Sequence, residues 1–264
     1  MLRNVSIKST VGFLIALGMI CTVSAQQPAP AQGRQGGQGG QVQGRGGGGG
    51  GTGAARASAL PLFLDANWVR PASQTGQTKV VQENIGDPNL ELKQYGLHES
   101  CLLTSGNPGS ETTPFSVWSG ECEQPFATML RHKTNNVDLS GTGKIRWAVK
   151  TSGFHVVRPV IKLADGTMYV GETAAASVPM LVMSEVPLAA IRWIKLDPKR
   201  LVTISTPGGS FNYIWAAPDL TKVEEVGFVD LMPASGHGTG GYIHVSTFQV
   251  YGRPVPRAAT TSSR

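Results

Sequence analysis

Lys144-Ile145-Arg146-Trp147-Ala148-Val149-Lys150 decides the fold. Ile145, Trp147 and Val149 alternate with Lys144, Arg146, Ala148 and Lys150, the period-two pattern of a strand with one dry face and one wetter face. The next stretch, 154–163, is apolar on both faces yet carries Arg158 and Pro159. A proline removes a ladder donor, so this strand is expected to be bulged or at an edge near that point. Asp165-Gly166 then supplies a turn and 167–170 returns as the partner, which makes Lys162 through Tyr169 the clearest hairpin in the chain.

The same reading extends outward in both directions. Strands are expected at 189–196, 201–205, 211–215, 223–232 and 242–251, with weaker ones at 60–70, 79–85, 90–96 and 99–104. No window of about a dozen residues keeps a helical apolar stripe free of glycine or proline. Asp219 is expected to cap a short turn before its strand. Many short strands, abundant turn residues and scarcely any helix predict an all-β, antiparallel jelly-roll β-sandwich with its core between two sheets.

Residues 1–25 read as a signal peptide. Arg3 and Lys8 precede an apolar run from Val11 to Ile20, and Val23-Ser24-Ala25 offers small residues for cleavage before Gln26. The run falls well short of the roughly 20 residues of a spanning helix, so no transmembrane span is expected in the mature chain. A retained anchor is the alternative; the bulk of Ile20 before Cys21 argues against a lipoprotein. The protein is therefore expected to be secreted or periplasmic. Residues 26–59, rich in Gly and Gln and without an aromatic side chain, predict a disordered linker, because nothing apolar offsets the entropy of ordering them. Arg34 and Arg45 beside glycines superficially resemble an RNA-binding Arg-Gly segment, but the aromatic stacking partners are missing, and no nucleic-acid partner is expected.

The folded part, 60–264, is one β-sandwich domain on this reading. The formal charge of +6 falls to +4 without Arg3 and Lys8 and to +1 without Arg34, Arg45 and Arg56, so it implies no polyanion partner. Beyond the signal only Cys101 and Cys122 remain, an even pair for an oxidising compartment. They are expected to form a disulfide that stabilises by roughly 3 kcal/mol on the chain-entropy account. Two separate thiols are the alternative, and no CxxC spacing suggests a metal pair.

Asp138-Leu139-Ser140-Gly141, then Ile145-Arg146-Trp147, then Asp219-Leu220-Thr221-Lys222-Val223-Glu224-Glu225-Val226-Gly227-Phe228, and a last strand ending Val250-Tyr251-Gly252 complete a pattern. It resembles the galactose-binding-domain-like jelly rolls, carbohydrate-binding modules among them. The resemblance covers 136–252 and implies the same sandwich; its phrases mark architecture rather than ligand contacts. Concanavalin-like sandwiches are the nearest competing architecture.

Candidate ligand-binding residues come from the side chains themselves. Exposed tryptophans stack on sugar faces, and Trp118 and Trp215 lie near expected loops; the ordinary alternative is core packing, the expectation for Trp147 and Trp193. Arg146, Arg158 and Arg192 sit in separate strands with Glu172 nearby, and on one face they would form a polar patch suited to hydroxyls or a carboxylate. A solvated face with cross-strand ion pairs is the alternative. His237, in the glycine-rich 235–241 loop, is a further candidate against a plain surface turn. His155 and His244 lie within strands and read as structural, and His132 as part of a basic surface turn.

Catalysis has no comparable signal. A glycosidase needs two carboxylates roughly 5 to 9 Å apart, and the order of Glu172, Glu185, Glu224, Glu225, Asp165 and Asp230 cannot supply that distance. HExxH, GxSxG and a His/Cys zinc cluster are all missing from the sequence, so no catalytic residue, metal or cofactor is assigned. The leading expectation is a non-catalytic exported module binding carbohydrate or cell-envelope polysaccharide through aromatic and polar side chains. A glycoside-active enzyme with paired carboxylates and a structural, protein-binding domain of an exported assembly are the alternatives.

Overall fold

Strand β7 (Lys144–Thr151) forms as its alternation dictates: Ile145, Trp147 and Val149 are buried, while Lys144, Arg146 and Lys150 lie on the wetter face. The computed structural model describes residues 59–96, 101–204, 213–236 and 240–257. The expected signal peptide, nearly all of the expected linker and His237 lie outside the described residues. Among those described, no helix is long and apolar enough to cross a membrane.

Two antiparallel sheets pack face to face. The first has six strands in the order β11 (Val182–Pro187), β7, β15 (Ile243–Tyr251), β4 (Ser116–Trp118), β3 (Leu103–Ser105), with β1 (Leu62–Asp65) on the far half of β15. The second has ten. Its main path runs β13 (Trp215–Ala216), β12 (Trp193–Leu196), β9 (Met168–Gly171), β8 (Val156–Leu163), β14 (Val223–Asp230), β5 (Phe126–His132), β2 (Leu90–Gly96). Short strands β6 (Asn135–Asp138), β10 (Ala175–Ala176) and β16 (Arg253–Pro256) attach at its margins. The all-β, antiparallel jelly-roll β-sandwich expected from the sequence is the fold.

The core between the sheets takes Trp147, Val245 and Phe248 from the first and Phe126, Ile161 and Phe228 from the second. Phe228 and Phe248 meet edge to face across the layers, 5.6 Å between ring centres. The Trp147 indole N–H donates to Ser184 Oγ at 2.9 Å, so its burial leaves no unpaired donor. In β15 the pairing with β7 shifts between Val245 and Thr247. This bulge lets Ile243 and Val245 on one side of it, and Phe248 and Val250 on the other, all reach the core.

A second apolar cluster covers the opposite face of the ten-stranded sheet and includes Met129, Val160, Met168, Val170, Ile194 and Leu196. That is why 154–163 is apolar on both faces: Val157 and Ile161 enter the inter-sheet core, and Val160 the second cluster. Pro159 sits in the interior of the sheet rather than at its edge. It is tolerated because β8 bonds β10 through Val156 and Val157, and β9 from Val160 onward, leaving Pro159 in the gap.

The predicted hairpin is present, with Leu163 N–H donating to Thr167 O at 3.0 Å and Gly166 at φ +85 in the turn. Asp219 caps its turn through Thr221 N–H, and Asp138 likewise accepts from Ser140 N–H. These two phrases touch: Leu139 N–H donates to Leu220 O at 2.8 Å. Cys101 and Cys122 are disulfide-bonded.

Other sequence expectations shift. In place of a strand, 79–85 forms isolated bridges and a 3-10 turn at Gln82–Asn84. The strand expected from 189 begins at Trp193, after a 3-10 turn at Leu188–Ala190.

Candidate functional site

The outer face of the six-stranded sheet is the wetter face of β7 extended across its neighbours. Register pairs His244 with Lys150 on one side and with Trp118 on the other, and Ser105 with Ser116. Lys150, His244, Ser116 and Ser105 thus form a cross-strand floor. Arg70 and the 106–114 loop make one wall, and Pro179, Met180 and Leu181 before β11 make the other; the enclosed groove holds about 730 Å³. A second hollow of about 410 Å³, lined by Tyr242, Ser152 and Ser177, shares Lys150 and Pro179 with it. Lys150 therefore stands at the junction.

An aromatic cluster adjoins this floor on the same face. Trp118 stacks on His244 with ring centres 6.1 Å apart and meets Tyr242 edge-on at 6.2 Å. Trp118 is only 5 % exposed, so it supports Tyr242 and His244 instead of offering an open platform. Gly120 permits this, because a methyl group there would run into the Trp118 indole. The Lys150 ammonium lies 5.5 Å from the Tyr242 ring centre. His244 Nδ1 is 3.3 Å from Ser116 Oγ. Burial first, and then the Lys150 charge, push the His244 imidazole down to about 4, so it is neutral at neutral pH.

On the other sheet, the structure brings together Arg158, Glu172, Arg192 and Trp215. Arg158 donates to the carbonyls of Gly171 and Glu172, at 3.4 and 2.6 Å. Arg192 meets the Glu172 carboxylate through Nε at 2.8 Å and Nη2 at 2.6 Å. That pairing holds Glu172 below the usual carboxylate range. The Arg192 guanidinium covers one face of Trp215 at 4.0 Å, and Tyr213 abuts the same ring edge-on. Trp215 is 45 % exposed. Arg146 belongs to the six-stranded sheet and is not part of this patch.

Each carboxylate named for hydrolysis is engaged by a neighbouring side chain or turn. Glu185 binds Lys144 at 2.7 Å, Glu224 binds Arg131 at 2.9 Å, and Asp165 caps its turn. Buried Asp230 accepts from His155 Nδ1 at 2.7 Å, raising the His155 pKa. Glu225 accepts from Tyr95 at 2.8 Å and from Lys162 at 3.0 Å; burial chiefly pushes the Tyr95 phenol up to about 12. Within the groove the one carboxylate is Glu111, on the wall loop. Among the described residues no group of three His, Cys, Asp or Glu side chains is placed to hold a metal ion.

Tyr242, Arg70, Ser116 and Lys150 were not singled out by sequence reading, and His244 read as structural. The usable signal was the outward half of the alternation, Lys150 in β7 and His244 in β15. Their convergence with Arg70 depends on pairing between distant segments.

No family model and no curated protein matches the chain. Among solved structures, it is similar to a family 11 carbohydrate-binding module of a cellulosomal cellulase of Clostridium thermocellum, at 14% identity and TM-score 0.38, over 69% of this chain and 97% of that one. A second structure of a family 11 module from Clostridium thermocellum, in complex with a β-1,3-1,4-mixed-linked tetrasaccharide, matches at 15% identity and TM-score 0.38, over 70% and 100%. An agarase matches at 10% identity and TM-score 0.33, over 69% of this chain and 25% of the agarase.

Proposed function

We propose that the protein is an exported, non-catalytic module that binds carbohydrate or cell-envelope polysaccharide in the groove of the six-stranded sheet. The observation that carries the reading is the groove itself: an open channel of about 730 Å³ where hydroxyl, imidazole, ammonium and guanidinium groups converge beside an aromatic cluster. Sugars need this combination, ring faces for their C–H surfaces and short polar groups for their hydroxyls. Ser116 and Ser105 supply hydroxyls, neutral His244 donates or accepts, and Tyr242 and Met180 offer apolar contact. A lone carboxylate, Glu111, favours binding over hydrolysis, which takes an acid and a second carboxylate. The exposed Trp215 and Tyr213 edges on the other sheet are a second contact point for the same polymer.

The test is a panel of soluble and insoluble polysaccharides, following retention of the protein and release of reducing ends together. Retention without release, weakened at least tenfold by Tyr242→Ala, is the expected result. Release of reducing ends would make the protein an enzyme. Absence of retention across the panel by folded protein would overturn the reading.

A further inference from the structure

Lys150 makes no ion pair among the described residues; its ammonium lies over the Tyr242 ring face. Other basic groups near it are differently placed. Lys144, on the same face of β7, is neutralised by Glu185 at 2.7 Å. Arg70, in the groove wall, donates to Gly106 O at 2.8 Å and lies over Phe115; its Nε is buried without a hydrogen-bond partner, and among the described residues it makes no ion pair. Arg146, opposite Glu185 in register, makes no ion pair among the described residues and stands on the Lys150 face about 13 Å along the strand at 3.3 Å per residue. Ala148 lies between them, paired with Thr247 on one side and with the half-exposed Met183 on the other.

A cation left unpaired where two hollows meet is a poor structural element, because it gains nothing from burial. It is a good receptor for an anion. The field there is positive enough to help hold His244 neutral. Glu111, the one acid of the groove lining, is exposed on the loop.

Resting on the carbohydrate reading, we infer that the groove takes an acidic polysaccharide, with a carboxylate or sulfate of the glycan seated at Lys150 and Arg70. Arg70 contributes through its terminal guanidinium nitrogens, its Nε being buried, and Lys150 as a point charge. Tyr242 contacts the ring of the sugar bearing the acid, and Ser116 and His244 take its neighbouring hydroxyls. Arg146 meets a further acidic group of the same chain.

The test uses the full chain and compares polygalacturonate and chondroitin sulfate with a neutral mixed-linked β-glucan, by affinity electrophoresis at 50 and 500 mM NaCl (both values are conditions that move the Debye length from about 14 to about 4 Å). Stronger retention by the acidic polymers, lost at high salt and reduced at least tenfold by Lys150→Gln, is expected. Lys144→Gln, which removes a cation already matched by Glu185, should leave retention within twofold. Lys150→Arg should restore most of the binding, which separates a charge requirement from a folding defect. Equal retention by the neutral glucan, indifferent to salt and to Lys150→Gln, would overturn the acidic ligand while leaving carbohydrate binding intact. Retention by none of the polymers would overturn both.

Discussion

Burial, reinforced by the Lys150 charge, pushes His244 down to about 4, whereas the 2.7 Å bond to Asp230 pushes His155 up. The two effects act on opposite limbs of the stability profile. For His244 the folded value lies below the ordinary 6.5, so its contribution is present above 6.5 and lost as pH falls toward 4, on the order of 3 kcal/mol in full. His244→Gln should flatten that acid limb, as urea unfolding between pH 7 and pH 4 would show. For His155 the folded value lies above 6.5, so the ion pair is fully present below 6.5 and is lost as pH rises through the folded value. Asp230→Asn should therefore cost about 3–5 kcal/mol near pH 6, and visibly less at pH 9. A third residue-scale test is Gly120→Ala, which forces the Trp118 ring away from His244. It should cost about 1–3 kcal/mol in chemical denaturation and weaken glycan retention. None of these partnerships is legible in the sequence, since His155 and Asp230 are 75 residues apart.

At the scale of single strands, the bulge of β15 sets which side chains enter the core. A one-residue deletion at Ser246 would remove the extra residue and leave Ile243, Val245, Phe248 and Val250 in unbroken alternation opposite the same β7 partners. The deletion variant should therefore keep all four side chains in the core and give folded protein by circular dichroism, whereas failure to fold would show that the bulge itself is required. Alternation made β7 readable with its faces correctly assigned, and turn chemistry made the 162–169 hairpin readable. β5 was missed for a physical reason: Phe126 and Leu130 face the inter-sheet core while Ala127 and Met129 face the second cluster, so no polar alternation marks it. Pro159 misled in the same way. Its missing donor pointed to a bulge or a sheet edge near that point, and the structure supplies a gap between two short partner strands.

Across the whole molecule, the disulfide between Cys101 and Cys122 closes a loop of 21 residues beside the groove-forming β3 and β4. Replacing both cysteines with serine should cost about 3 kcal/mol, a fall in Tm of roughly 6–12 °C for a domain of this size, measurable by calorimetry. The cysteine pair and sandwich were legible because both rest on local composition and periodicity. The groove was not, because Arg70, Ser116, Lys150 and His244 come from four segments whose convergence is a product of strand order. The apolar cluster on the outer face of the ten-stranded sheet is equally non-local, and the proposed binding groove lies on the other sheet. The most direct test of that placement is a backbone NMR titration of the protein with an oligosaccharide fragment of a retained polymer. The account predicts that shift changes concentrate at Ser116, Lys150, Tyr242 and His244. Changes confined to Tyr213, Trp215 and Arg192, with the groove residues silent, would contradict it.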